Sequence, residues 1–99
     1  MAFLSIHTMG GDPDDLLARK RQHVDPVVER LALGFGAVAS VTGKTASGII
    51  TVNLWATADG AAASSQNQEA LHAQRAPGLP KPATFERFPD AEYTFYGHT

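Results

Sequence analysis

The stretch Ile49-Ile50-Thr51-Val52-Asn53-Leu54-Trp55 constrains the fold of this chain more than any other. It is dense in β-branched and aromatic residues, and Gly48 and Thr57 bracket it, so it is predicted to be a strand. Side chains alternate across a strand. Ile50, Val52 and Leu54 therefore form one aliphatic face. Ile49, Thr51, Asn53 and Trp55 form a second, mixed face. Burying Trp55 removes some ~200 Å² from water, worth up to about 5 kcal/mol. That face also needs a cover.

Ala2 to Met9 repeats the pattern. Leu4 and Ile6 share one side; Phe3, Ser5, His7 and Met9 share the other. Gly10-Gly11 ends this first strand. Asp12-Pro13 then opens a helix, with Asp as N-cap, Pro at the first helical position and Asp14 and Asp15 at the positive end of the helix dipole. Leu16, Leu17, Val24, Val27, Val28 and Leu31 recur at helical spacing, with Lys20 the polar member of the row. The basic run Arg19-Lys20-Arg21 reads as a solvated helix face. Pro26 interrupts the pattern and predicts a kink, or a restart capped by Asp25. The helix is expected to stop near Gly34 or Gly36.

Ala37 to Lys44 reads as a second strand, with Val38, Ser40 and Thr42 on one side and Ala39 and Val41 on the other. Thr45-Ala46-Ser47-Gly48 joins it to the Ile49 strand as an antiparallel hairpin. Thr57 to Ala76 reads as a second helix capped by Thr57 or Asp59, with Ser64-Ser65-Gln66-Asn67 a point of interruption. Pro77 to Pro82 is a rigid linker. Phe85 to Tyr96 is the last strand, in which Pro89 marks an edge, a bulge or a break. Tyr93 and Phe95 share one of its faces.

The order is β-α-β-β-α-β, an α+β ferredoxin-like arrangement. It forms a single domain over residues 1–99, an antiparallel four-stranded sheet with two helices on one face. The aliphatic stripes are expected to meet the helices, leaving the face of Phe3, His7, Asn53 and Trp55 uncovered. A patch of that kind calls for a partner, most economically a second copy of the chain.

Composition removes several functions. Net charge is −2 and there are eight Lys and Arg without a concentrated patch, so no nucleic acid partner is expected. The chain has no Cys, which excludes disulfides and thiolate chemistry and fits a cytoplasmic location. No run approaches the roughly 20 apolar residues of a membrane span, and no signal peptide is evident. The four His are scattered without metal-ligand spacing, so no metal is expected; His23 and His98 read as solvent or interface residues.

The first strand ending in His7-Thr8-Met9, the segment Asn53-Leu54-Trp55-Ala56-Thr57, the Pro-rich linker and the order of elements resemble the dimeric α+β barrel superfamily, in particular its antibiotic-biosynthesis-monooxygenase-like group. The resemblance covers almost the whole chain. Many relatives carry Glu where Asn53 stands. The resemblance implies a homodimer and a pocket between sheet and helices in each subunit. Members include cofactor-independent oxygenases of aromatic polyketides, haem-degrading oxygenases and cyclases, so fold alone does not fix activity. The haem-degrading members carry a His ligand about ten residues after the Trp. Here that position is Ser65, the first strand holds His7 in place of their Asn, and His72 reads as a surface residue, so no cofactor is expected.

His7 is the candidate general base, and Asn53 the candidate group to orient a substrate oxygen or stabilise an oxyanion. Trp55, Thr51, Ser40 and Tyr93 are candidate substrate-binding residues. Each also has a purely structural reading: a hydrogen-bonded interface His, an Asn satisfying backbone, a packed Trp, a Tyr packed beside Phe95. Three functions stay open: a cofactor-independent monooxygenase acting on a small aromatic or polyketide-like molecule, a cofactor-free cyclase or isomerase, and a non-catalytic ligand-binding or stress-type dimer.

Overall fold

A computed structural model describes residues 2–75, 79–94 and 96. Four strands, β1 (Ala2–Gly10), β2 (Ala37–Thr45), β3 (Gly48–Trp55) and β4 (Thr84–Ala91), form one antiparallel sheet in the order β2-β3-β1-β4. Between β1 and β2 run α1 (Pro13–Arg19), a π turn (Lys20–Val24), α2 (Asp25–Ala32) and a 3₁₀ turn (Leu33–Phe35). Between β3 and β4 lie α3 (Ala58–Ser65) and α4 (Gln68–Gln74). This is the expected ferredoxin-like topology.

Local chemistry explains the boundaries. The Asp12 carboxylate accepts the Asp15 N–H at 2.8 Å, capping α1 with Pro13 in its first turn. Gly36 ends the 3₁₀ turn with φ of 70°, a left-handed geometry that favours Gly. Thr57 caps α3 through the Gly60 N–H. The helix expected over 57–76 breaks at Gln66-Asn67, and Asn67 caps the new segment through the Ala70 N–H at 2.9 Å. Pro89 lies on the edge strand β4 at a bulge, where three β4 steps from Phe88 to Ala91 oppose two β1 steps from Leu4 to Ala2. The last strand is shorter than expected: it ends at Ala91, so Tyr93 and Tyr96 lie beyond it, while Phe95 and the first two residues of the expected 77–82 linker fall outside the described residues.

Pro26 neither breaks nor caps a new helix. The turn before it widens instead, with the Asp25 N–H bonded to the Lys20 carbonyl. Proline has no N–H to give and its ring crowds the carbonyl four residues back, so an enlarged turn relieves both problems while the helix continues. Asp25 does not cap; its carboxylate accepts from Lys20 Nζ at 2.5 Å.

The orientation of the sheet corrects one expectation. The mixed face meets the helices and the aliphatic face does not. Ser5, Ile49 and Thr51, all on the mixed face, are 4%, 1% and 2% exposed. On the aliphatic face Val41 is 65% exposed, Phe88 is exposed, and Leu4, Ile6, Val52 and Leu54 are only half-buried. Polarity did not keep the mixed face out, because its polar groups pair along the sheet. Thr42 and Thr51 hydroxyls lie 3.2 Å apart, and the Ser40 hydroxyl donates to Asn53 Oδ1 at 2.7 Å. Opposing them, Leu16 and Val24 are buried from the first helical segment, and Ala61, Ala70 and Ala73 from the second.

Gly48 sets how closely β1 and β3 approach. A Cβ there would sit 1.8 Å from the Met9 carbonyl oxygen, whereas one at Gly43 would meet only Ile50 Cγ2 at 3.8 Å. We predict that Gly48→Ala lowers the unfolding free energy by about 2 kcal/mol or more in urea titration, while Gly43→Ala leaves it within about 1 kcal/mol, with the lost freedom of the unfolded chain favouring stabilisation. Equal effects would refute the packing role.

Candidate active site

Two rows of side chains cross the sheet beneath the helices. In register they read Phe85, His7, Thr51, Thr42 and Arg87, Ser5, Asn53, Ser40. Phe3 opposes Trp55 at one end of the same face. Leu17, Lys20, Val24 and Val28 look down from the helices, and the space between is a cleft of about 1470 Å³. Specific small-molecule sites commonly measure roughly 300–1,000 Å³, so this one admits a multi-ring molecule.

His7, Asn53, Trp55, Thr51 and Ser40 all line the cleft. Thr51 lies deep, at its floor, and Ser40 is open at the β2 side. Tyr93 is not among the lining residues; it follows β4 and is exposed. His72 is exposed on α4 and also outside the lining, as the surface reading expected. Among the described residues no cluster of three metal-ligating side chains forms.

His7 is the most chemically distinctive group. Its ring stacks on Phe85 with centroids 5.5 Å apart and planes 5° from parallel, and the Arg87 guanidinium covers Phe85 at 4.4 Å. Its Nδ1 is buried without a hydrogen-bond partner among the described residues. Burial, and then the positive charge of Lys20, hold the imidazole's pKa below its ordinary value of 6.5. His7 is therefore neutral at physiological pH and can accept a proton. Asn53 is oriented by its neighbour: with Oδ1 engaged by Ser40, the two Nδ2 hydrogens have no partner among the described residues. They stand two positions along β1–β3 from His7.

Lys20, Asp25, Phe85 and Arg87 are among the lining residues that the sequence does not single out. The basic run reads as a solvated face, yet the Lys20 side chain is only 14% exposed and enters the cleft. The signal was its place in the apolar row. Phe85 and Arg87 alternate with Glu86 on β4, which puts both on the His7 face.

A folded imidazole with a depressed pKa makes the unfolded state bind more protons between the folded pKa and 6.5. Stability contributed by neutral His7 is fully present above 6.5 and is lost as pH falls through that window. We predict that NMR titration of His7 gives a midpoint below 6.5. In Lys20→Met the midpoint rises but stays depressed, because burial is the larger cause. A wild-type midpoint at or above 6.5 contradicts this account.

No family model matches the sequence, and no curated protein matches it significantly. Solved structures do match the fold. A provisionally named antibiotic biosynthesis monooxygenase from Chloroflexus aurantiacus J-10-fl superposes with a TM-score of 0.67 at 14% identity, covering 98% of this chain and 100% of the other. An asparagine-to-alanine variant of SnoaB, a cofactor-independent oxygenase from Streptomyces nogalater, superposes with a TM-score of 0.65 at 14% identity, covering 93% of each chain. The chain thus has the ferredoxin-like α+β fold of antibiotic-biosynthesis-monooxygenase-like proteins, as its sequence resemblance implied.

Proposed function

We propose that the protein is a cofactor-independent monooxygenase acting on an electron-rich aromatic molecule of polyketide type. The observation that carries the reading is His7, a neutral base whose Nδ1 has no partner among the described residues, on the wall of a cleft large enough for a multi-ring substrate. The fold it shares with a cofactor-independent oxygenase supports the same reading.

In this mechanism His7 takes a proton from an activated ring CH₂, leaving a delocalised carbanion. The Asn53 amide hydrogens hold the enolate oxygen that carries the charge, with Ser40 as the positioning residue that fixes the amide. The carbanion gives one electron to O₂, and the radical pair combines to form the C–O bond. The peroxide is protonated from His7 and loses water, leaving a ring carbonyl. The balance is CH₂ plus O₂ to C=O plus H₂O, and the substrate supplies all the electrons. Trp55, Phe3 and Phe85 offer stacking surfaces for the rings.

Oxygen uptake with an anthrone and no added cofactor checks this. We expect turnover, falling roughly 10²–10⁴-fold in His7→Ala and about 10²-fold in Asn53→Ala, with kcat/KM rising through a pKa below 6.5 to a plateau. Substrate conversion that proceeds equally without oxygen would replace this reading with the cyclase or isomerase one.

The active species in this proposal is a homodimer whose sheets meet through Leu4, Ile6, Val41, Val52 and Phe88, the aliphatic stripe left open by the helices. Because Val41 is exposed in the protomer, Val41→Glu harms the protomer little yet buries a charge in the dimer. Sedimentation is expected to show a dimer for the natural chain and a monomer for Val41→Glu; a natural chain that stays monomeric at every accessible concentration removes the dimer.

A further inference from the structure

The cations of this chain are not evenly placed. The chain carries eight Lys and Arg against ten Asp and Glu. Five of the eight, Lys20, Arg21, Arg75, Lys81 and Arg87, line the cleft, together with only two acids, Asp25 and Glu29. The three cations elsewhere are each matched to a carboxylate: Arg19 to Asp15 and Lys44 to Asp14, both at 2.9 Å, and Arg30 to Glu69. In the cleft only Lys20 has a carboxylate partner among the described residues. An acidic protein has therefore gathered its unmatched positive charge around one concave surface.

Two of these cations are held in place. Lys20 is the most enclosed of them, 14% exposed, anchored to Asp25 at 2.5 Å by the π turn that brings residues five apart together. That contact uses one of its three N–H donors and leaves two. Arg87 is fixed over the Phe85 ring, and its planar fork is the natural partner of a carboxylate. Its row on the sheet also holds Asn53, and the neighbouring row holds His7. Arg21, Arg75, Lys81 and Arg87 sit at the exposed rim of the cleft, and an excess of positive charge around a concave surface favours an anion and raises its local concentration.

We propose that the cleft recognises a substrate that is an acid: an aromatic skeleton bearing a carboxylate, held by Lys20 Nζ and the Arg87 guanidinium while the ring system lies between His7 and Trp55. This rests on the cleft being the site of the reaction proposed above and adds the substrate's charge and the residues that select it. Neither cation touches the reacting carbon. Their contribution is to binding, so they act mainly on KM.

The test needs no oxygen chemistry. Binding of 1-hydroxy-2-naphthoate and of its isosteric carboxamide, 1-hydroxy-2-naphthamide, is measured by calorimetry on the natural chain, Lys20→Met and Arg87→Met. The carboxylate is expected to bind at least about ten-fold tighter than the amide, the strength of one charge-assisted contact. That ratio should fall towards one in Lys20→Met and part of the way in Arg87→Met, the acid losing more affinity than the amide in both. Lys20→Arg, which keeps the charge, should keep most of the ratio. If Lys20→Met does not fold, the ratio in the natural chain still decides: it should collapse between about 20 and about 500 mM NaCl. Equal binding of acid and amide, a preference that survives both Met variants, or binding of neither compound overturns the proposal. A charge preference without any oxygen uptake would retain acid recognition and sink the oxygenase reading, so the two can fail separately.

Discussion

Because side chains on a strand alternate with a period of two, the pairing of His7 with Thr51 and of Ser5 with Asn53 decides which wall the helices cover. A slip of β1 by one residue against β3 would bring Leu4 and Ile6 under the helices and turn His7 outward while Asn53 stayed in place. Two features hold the pairing. Gly48 lets the Met9 carbonyl approach where no Cβ would fit. Thr42–Thr51 and Ser40–Asn53 side-chain bonds then tie β2 to β3 in the same phase. These four polar side chains are thus partnered within the sheet, which lowers the penalty for enclosing them, while His7 Nδ1 is left without a partner among the described residues.

Much of this was legible in the residues. Asp12-Pro13 announced a capped helix start, Gly36 a stop, Pro89 an edge or bulge, and the hairpin through Ala46-Ser47 followed from two alternating runs. Each is a local backbone matter, decided by a few adjacent residues. Which face of the sheet turned inward was not local. An aliphatic stripe must leave water, but a sequence does not say whether helices of the same chain or another surface receives it. The stripe of Ile50, Val52 and Leu54 was matched to the nearest helices, and the structure shows a polar, aromatic wall there instead.

The candidate site divides the same way. His7, Asn53, Thr51 and Trp55 could be grouped from alternation alone, and Ser40 joined them through the hairpin register. Tyr93 could not be placed, because the strand that was to carry it ends at Ala91. Lys20 was hidden by its neighbours. Arg19 and Arg21 made it look like part of a solvated run, although a cation inside an apolar helical row is the pattern of a side chain that reaches inward along its own methylene stem.

The π turn has a consequence for how this helix tolerates change in length. In a regular α-helix residues eight apart lie about 80° apart around the axis and residues five apart about 140°. Yet Leu16 and Val24 are both buried, and Lys20 and Asp25 are in contact. The wide turn absorbs the difference, so the helix behaves as though it carries one residue beyond what even winding requires, lodged over the cleft. Removing one residue between Lys20 and Val24 would let the helix wind evenly and still reach β2. Leu16 and Val24 would then be seven apart, about 20° from alignment, so the buried face would keep its phase. What the deletion would bring back is the clash of the Pro26 ring with the carbonyl four residues earlier, so the length of this turn is set by a proline.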